Sequence, residues 1–178
     1  MKYAVLKALT KKLNSQTKIN RIARTADSVL KIEFEKGVDY FFDLSRGQNL
    51  VYKNQELPPK EYKAPFDTSL SKCFSKCAVE KIELLESDKI IRIYTAVRLG
   101  YKEQKASLCL ELTGKSANAV VLDEGGFILS ALRYETSGVR DLRIGQKYAP
   151  PPPPPYGRGR RLPRRSSRTA CHPLISPS

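Results

Sequence analysis

Residues of the types that perform catalysis are scarce in this sequence. The single histidine, His172, lies near the C-terminus, so the first 155 residues hold no Ser-His or Cys-His pair that could activate a nucleophile. Cys73 and Cys77 are spaced to share a metal ion, but no histidine or second cysteine pair accompanies them, and they fall among apolar residues. We therefore expect both cysteines to be buried, reduced side chains.

Sequence motifs that bind nucleotides or cofactors are also missing. Neither a Gly-x-Gly-x-x-Gly run nor a Walker motif occurs, and Gly125-Gly126 is typical of a hairpin turn rather than of a phosphate-binding loop. No spacing of carboxylates marks an acid and base pair. The sequence therefore predicts a binding domain that is not an enzyme and that uses no metal or cofactor.

The charge of the chain gives the first indication of a partner. The net charge is +14, from 32 basic and 18 acidic residues. Six of the arginines lie in residues 156–178; without them, 26 basic residues against 18 acidic ones leave +8 for residues 1–155. A phosphate backbone is the usual partner of so basic a surface, so we expect nucleic-acid binding. An acidic protein partner is the alternative.

The hydrophobic pattern predicts two helices. Leucines at positions 6, 9 and 13 lie at helical spacing, which indicates an amphipathic helix in the first thirteen residues. Apolar residues from Phe66 to Cys77 follow the same period, with Asp67 or Thr68 able to cap the start of the second helix.

Strand patterns dominate the rest of the domain. Apolar and polar residues alternate, or apolar residues form short runs, near residues 30–34, 40–44, 50–52, 79–85, 90–94 and 108–112. Two further apolar runs flank the turn at 123–126, which predicts a hairpin. The fold class expected is α+β, with a mainly antiparallel sheet or sandwich and flanking helices.

The proline run at residues 150–155 divides the chain. We expect a folded domain over 1–149, a proline linker over 150–155, and a disordered tail rich in Arg, Ser and Pro over 156–178. The tail is either an arginine-rich arm that binds RNA or the product of a frameshift in a C-rich tract of the gene. We favour the frameshift, because the composition changes abruptly at this point. Without an export signal or a long apolar run, a cytoplasmic location is expected.

Four segments carry a resemblance to a known family. They read APFDTSLSKCF at 64–74, VEKIELLESDKIIRI at 79–93, LCLELTGKSANAVVLDEGGFILSALR at 108–133 and IGQKYAPPPP at 144–153. Their order and spacing resemble the N-terminal domain of the NFACT family, whose bacterial members include RqcH and proteins named fibronectin-binding protein A. The resemblance implies a fold similar to the N-terminal domain of formamidopyrimidine-type DNA glycosylases. Their chemistry is not expected, since this chain begins Met1-Lys2-Tyr3 and lacks their N-terminal proline.

The resemblance also implies a function in ribosome-associated quality control. Full-length relatives bind the large ribosomal subunit that still carries peptidyl-tRNA after a stalled ribosome splits, and they recruit alanyl-tRNA for alanine tailing. A truncated N-terminal domain would keep some affinity for tRNA or the ribosome without completing tailing. The alternative is an adhesin-like protein that binds fibronectin, which the family's other name suggests.

Two short segments match family positions implicated in RNA contact. Asp88 and Lys89 stand where the family has an Asp-Arg pair; Asp88 would accept hydrogen bonds from bases or ribose, and Lys89 would contact phosphate. Lys115 and Asn118 belong to a stretch that the family usually writes Gly-Arg-His-Ser-Asn, and both could contact an RNA backbone. The alternative for each segment is a polar turn between two strands.

The frameshift hypothesis can be tested on the gene. Sequencing codons 150–160 should reveal a C-rich tract, and shifting the frame by one base there should open a reading frame that continues into a helix-hairpin-helix region and a coiled coil. A tract with no such alternative frame would instead support an authentic arginine-rich arm.

Overall fold

A computed structural model of the chain describes residues 2–53, 58–61, 63–85, 89–99, 101–137 and 139–152. Within these residues the chain forms two α-helices and eleven β-strands. Their bounds are α1 (Tyr3–Leu13), β1 (Lys18–Ala26), β2 (Val29–Phe34), β3 (Val38–Asp43), β4 (Leu50–Lys53), α2 (Pro65–Phe74), β5 (Cys77–Leu84), β6 (Ile90–Leu99), β7 (Lys102–Glu111), β8 (Asn118–Asp123), β9 (Ile128–Ala131), β10 (Thr136–Ser137) and β11 (Arg140–Asp141). The tail at residues 156–178, for which disorder was expected, lies outside the described residues, as do residues 153–155 of the expected proline linker.

The first nine strands form one antiparallel sheet in the described part of the chain, in the order β4-β3-β2-β1-β5-β6-β7-β8-β9. Consecutive strands are neighbours except where α2 separates β4 from β5, so short turns account for most connections. The α+β class and the antiparallel sheet predicted from the sequence are confirmed. So are α1, the β2–β4 meander and the β8–β9 hairpin, in whose turn Gly126 has a φ of +79°.

The sheet has two halves joined at a narrow point. Only two residue pairs, Lys18 with Ala78 and Ile19 with Cys77, connect β1 to β5. Both halves contribute to one main hydrophobic core, which also receives Leu6 and Leu13 from α1 and Phe66, Leu70 and Phe74 from α2. Burial of these apolar side chains holds the halves and helices together, because so short a ladder contributes little by itself.

The half of the sheet formed by β6–β9 is buried on both faces. Leu108 and Leu110 of β7 point into the main core, whereas the intervening Cys109 belongs to a second cluster on the opposite face. The segment after β9 covers this second face, and the cluster comprises Ile90, Cys109, Val120, Leu122, Ile128, Ala131 and Leu142. Burial on two faces explains why β8 reads as a continuous apolar run rather than as an alternating strand.

One part of the predicted second helix is wrong. The helix ends at Phe74, and Cys77 is the first residue of β5 rather than a member of the helix face. Lys76 adopts a φ of 57°, in the left-handed region, which ends the helical path before Cys77. Cys73 and Cys77 are nevertheless buried and unpaired, as expected, and burial raises the pKa of the Cys77 thiol to about 11.

An ion pair fixes α2 on β1. The guanidinium of Arg24 donates to both carboxylate oxygens of Asp67, at 2.6 Å each, and Asp67 also accepts from the Ala64 N–H at the start of α2. Burial raises the pKa of Asp67, but the hydrogen bonds and charge of Arg24 and the Ala64 N–H outweigh it, so that the pKa lies below its usual value.

A second ion pair is buried under the segment that follows β9. Arg140 donates to both carboxylate oxygens of Glu111, which is fully buried, and the Tyr148 hydroxyl donates to the same carboxylate at 2.7 Å. Because the Arg140 side chain is only 2% exposed, both charges depend on each other for compensation.

We predict that Arg140→Met will lower the free energy of unfolding by about 3–5 kcal/mol, because it leaves the Glu111 carboxylate buried without its cation. Urea denaturation of the purified chain measures this change. Arg143→Met is the matched control: Arg143 pairs with Asp141 two residues away, but both side chains face solvent, so little change is expected. Equal losses of stability in Arg140→Met and Arg143→Met would contradict a special role for the buried pair. The same conclusion would follow if the double variant Glu111→Leu/Arg140→Met were no more stable than Arg140→Met.

Candidate nucleic-acid interface

Several loops meet at one end of the sheet. The β5–β6 and β7–β8 connections lie at the same end because the three strands β5, β6 and β7 are antiparallel neighbours. The Leu112 N–H donates to the Lys89 carbonyl at 2.8 Å, which ties these two connections together. We call the described residues 44–49, 89, 112–117 and 132–133 the loop end.

The β3–β4 loop, residues 44–49, packs on a short 3-10 turn formed by Gly114–Ser116. The Gly114 N–H donates to Asn49 Oδ1 at 2.6 Å, and the Gly47 N–H donates to the Gly114 carbonyl at 3.3 Å. Gly114 has a φ of +71°, a conformation that other residues seldom adopt, so glycine is required at this junction. The two hydrogen bonds place Arg46 and Lys115, both exposed, on adjacent loops.

Arg133 connects the loop end to the rest of the fold. It follows β9, and its guanidinium donates to the Ala117 carbonyl at 2.7 Å, the Leu44 carbonyl at 3.2 Å and Ser28 Oγ at 2.6 Å. One side chain thus joins the β7–β8, β3–β4 and β1–β2 connections. All three acceptors are neutral, so they satisfy the donors without cancelling the charge.

The charge at the loop end is positive. Within the described residues, none of Arg46, Lys89, Lys115 and Arg133 forms an ion pair with a carboxylate. Burial, together with the charge of Arg46, lowers the pKa of Arg133, although a guanidinium remains charged at neutral pH. An arrangement of uncompensated cations on adjacent loops can bind an anion.

The residues predicted to contact RNA are differently placed. Asp88 lies outside the described residues. The Lys89 side chain is half-buried, and its backbone carbonyl holds Leu112. Lys115 projects from the 3-10 turn and is exposed. The structure therefore brings the two predicted segments, around Lys89 and Lys115, to the same end of the sheet.

Asn118 has a structural role in the domain. Its side chain is 4% exposed, its amide Nδ2 donates to the Arg133 carbonyl at 2.8 Å, and its Oδ1 accepts from the Arg133 N–H at 3.0 Å. These bonds fix the backbone of Arg133 and leave the amide committed to the hairpin. Asn118 thus acts on the loop end through Arg133.

Arg46 and Arg133 were not identified from the sequence. Arg133 falls inside the quoted segment that ends the β8–β9 hairpin, but its spacing from Arg46, 87 positions, gives no local signal. A usable signal would have been the lack of any acidic residue within three positions of Lys115, together with the Ser-Arg-Gly turn at 45–47.

Two features are absent from the residues that the structure describes, a cluster of metal ligands and a membrane-spanning helix. These residues include no group of three or more His, Cys, Asp or Glu side chains able to hold a metal ion. None of their helices is long and apolar enough to cross a membrane.

Comparison with known proteins identifies related sequences and folds. A family model described as NFACT N-terminal and middle domains matches residues 2–160. No curated protein sequence is significantly similar to the chain.

Three solved structures have a similar fold. The N-terminal domain of fibronectin-binding protein PavA from Streptococcus pneumoniae superposes with a TM-score of 0.75 at 21% identity, over 84% of this chain and 61% of that one. The N-terminal part of the fibronectin/fibrinogen-binding protein from Streptococcus suis gives 0.76 at 18% identity, over 83% and 60%. The fibrinogen binding protein from Staphylococcus aureus gives 0.70 at 16%, over 82% and 54%. The chain thus spans about three fifths, or less, of the structures that it matches.

We predict that Arg133→Met will lower the free energy of unfolding by about 1–3 kcal/mol, because two partly buried carbonyls and a hydroxyl lose their donor. Thermal or urea denaturation measures the loss. Arg46→Met is the control, with an expected change within about 0.5 kcal/mol, since Arg46 is exposed and only repels Arg133. The connecting role of Arg133 is contradicted if both variants unfold at the same urea concentration.

Proposed function

The chain belongs to the NFACT family, and from this membership we propose that it is an RNA-binding component of ribosome-associated quality control. In this proposal it contacts tRNA and the large ribosomal subunit of stalled complexes. The observation that carries it is the set of uncompensated cations, Lys115 on the loop that contains the family's motif, and Arg46 and Arg133 on the two connections bonded to that loop.

Electrostatics favours a polyanion at the loop end. A cation that already has a carboxylate partner gains little from phosphate, whereas a free one releases counterions from the nucleic acid when it binds. The exposed Arg46 and Lys115 can contact phosphates, and the half-buried Arg133 adds a fixed positive potential beneath them. Such contacts bind the backbone and do not read sequence.

The neighbouring Asp88 and Lys89 would add selectivity. In the proposal Asp88 accepts hydrogen bonds from base amines or ribose hydroxyls, which would distinguish RNA from DNA. Lys89 contacts phosphate as a point charge, without the planar fork of the family's arginine. Lys89 is adjacent to the Lys115 loop through the Leu112 hydrogen bond, so both segments can meet one ligand.

The proposed activity is binding, without catalysis. Alanine tailing with alanyl-tRNA is the activity of full-length relatives, and this chain spans only 61% of the PavA N-terminal structure. We propose that it binds the large subunit carrying peptidyl-tRNA in the cytoplasm and does not complete tailing alone.

Fibronectin binding is the second candidate function. Two of the similar structures are those of a fibronectin-binding and of a fibronectin/fibrinogen-binding protein, at 21% and 18% identity. The same cations could bind an acidic protein segment. The two candidate functions differ in the partner that is bound and in the location of the protein. Binding to RNA and binding to fibronectin can therefore be measured separately on one set of variants.

We predict that the double variant Arg46→Glu/Lys115→Glu will bind tRNA and stalled large subunits at least about tenfold more weakly, because two phosphate contacts become repulsive. Fluorescence anisotropy with tRNA and co-sedimentation with the subunits measure this loss. Arg98→Glu/Lys102→Glu is the matched double charge reversal: both side chains are exposed on the outer part of the β6–β7 hairpin, and Lys102 lies at the other end of β7, about 30 Å away at the usual rise per residue.

Similar losses in Arg46→Glu/Lys115→Glu and in Arg98→Glu/Lys102→Glu would indicate binding by net charge alone, against a site at the loop end. Absence of co-sedimentation by the unchanged chain, combined with saturable fibronectin binding on a coated surface, would replace the RNA proposal with the second candidate.

A further inference from the structure

A cavity of about 380 Å³ lies between β1 and α2, and its residue Lys60 pairs with Asp27 of the β1–β2 turn. Besides Arg24, its described lining includes four cations, Arg21, Lys60, Lys63 and Lys72. Cavities of this size hold small ligands of about one nucleotide. Ala23 and Pro59 add an apolar surface to the lining, which is therefore not made of charged side chains alone.

Most of this positive charge is uncompensated. Asp67 is the only acidic residue among the described residues that line the cavity, and both of its carboxylate oxygens are already bonded to Arg24. Lys60 pairs with Asp27, which lies outside the lining. Arg21, Lys63 and Lys72 form no ion pair with any residue that the structure describes.

The polar side of α2 completes the lining. Thr68, Ser71 and Lys72 are at i, i+3 and i+4, so they share one helix face, while Phe66, Leu70 and Phe74 face the core. The hydroxyls of Thr68 and Ser71 make no hydrogen bond within the described parts of the chain, and they can donate to an oxyanion.

We propose that this cavity binds a phosphate ester of nucleotide size, with Arg21, Lys63 and Lys72 contacting the phosphate and Thr68 and Ser71 donating to its oxygens. Cations together with hydroxyl donors match the charge and lone pairs of a phosphate monoester or diester. The apolar strip of Ala23 and Pro59 can contact the sugar or base. A free nucleotide and a nucleotide unit of an RNA strand present the same group.

The cavity is separate from the loop end, so the site does not depend on the proposed function. No residue of the described lining belongs to the loop end, and the two places contact the β1–β2 turn at different residues: Ser28 accepts from Arg133, and Asp27 binds Lys60. Variants at each place can therefore be tested independently.

The experiment titrates the full chain with three probes, namely inorganic phosphate, AMP and a single-stranded RNA hexamer, by NMR chemical-shift perturbation and calorimetry. The double variant Lys63→Glu/Lys72→Glu alters two exposed side chains, and urea denaturation checks that it folds. We expect it to bind AMP or the hexamer at least about tenfold more weakly than the unchanged chain. Arg46→Glu/Lys115→Glu should change AMP binding less than about twofold.

The arms of the titration identify the source of the phosphate. Binding of AMP supports a free nucleotide as ligand, and binding of the hexamer without AMP supports an RNA strand, provided that Lys63→Glu/Lys72→Glu reduces it. Equal affinity for inorganic phosphate and AMP would overturn the nucleotide-sized site. It would also be overturned by a lack of response to all three probes, or by affinities that Lys63→Glu/Lys72→Glu leaves unchanged, even if tRNA still bound the loop end.

Discussion

Both the fold and the candidate site depend on the hydrogen bonds that the Arg133 guanidinium donates. It lies after the last strand of the nine-stranded sheet and donates to Leu44, Ser28 and Ala117, which belong to three other connections. Asn118 holds its backbone from the opposite strand of the hairpin. The Arg133 guanidinium therefore holds three connections together. Because its acceptors are neutral, its positive charge also contributes to the electrostatic potential at the surface.

The two buried arginines among the described residues, Arg24 and Arg140, differ from the half-buried Arg133 because a carboxylate neutralises the charge of each. Arg24 is bonded to Asp67 and Arg140 to Glu111, so each charge is cancelled where it is buried. Stability alone would favour pairing each such arginine with a carboxylate, because an uncompensated charge in a half-buried position loses solvation energy. Retaining Arg133 beside Arg46, which lowers its pKa further, is physically sensible if an external anion supplies the missing negative charge.

Most of the fold was predictable from local sequence patterns, and the errors in that prediction have local causes. Alternation identified β2, β3 and β4, but the outer part of the β6–β7 hairpin was missed because Lys102, Glu103 and Gln104 are polar and exposed and give no period. Cys77 continued the helical spacing of α2 in sequence, and only the left-handed backbone at Lys76 removes it from the helix. For the site, the motif around Lys115 was local and was found. Arg46 and Arg133 are brought near each other by hydrogen bonds between distant parts of the chain, such as that from Arg133 to the Leu44 carbonyl, which no local spacing encodes.

The regularity of the charges favours RNA over an acidic protein as the partner. A nucleic-acid strand carries one phosphate on every nucleotide, so it can supply anions at successive places along a surface. The domain presents two such places, the loop end and the β1–α2 cavity, which contact the short β1–β2 turn at Ser28 and Asp27. An acidic protein segment would need carboxylates at matching intervals and would lose conformational entropy on aligning them. Uncompensated cations at two places next to one turn are therefore better matched to a polyphosphate backbone than to a protein ligand.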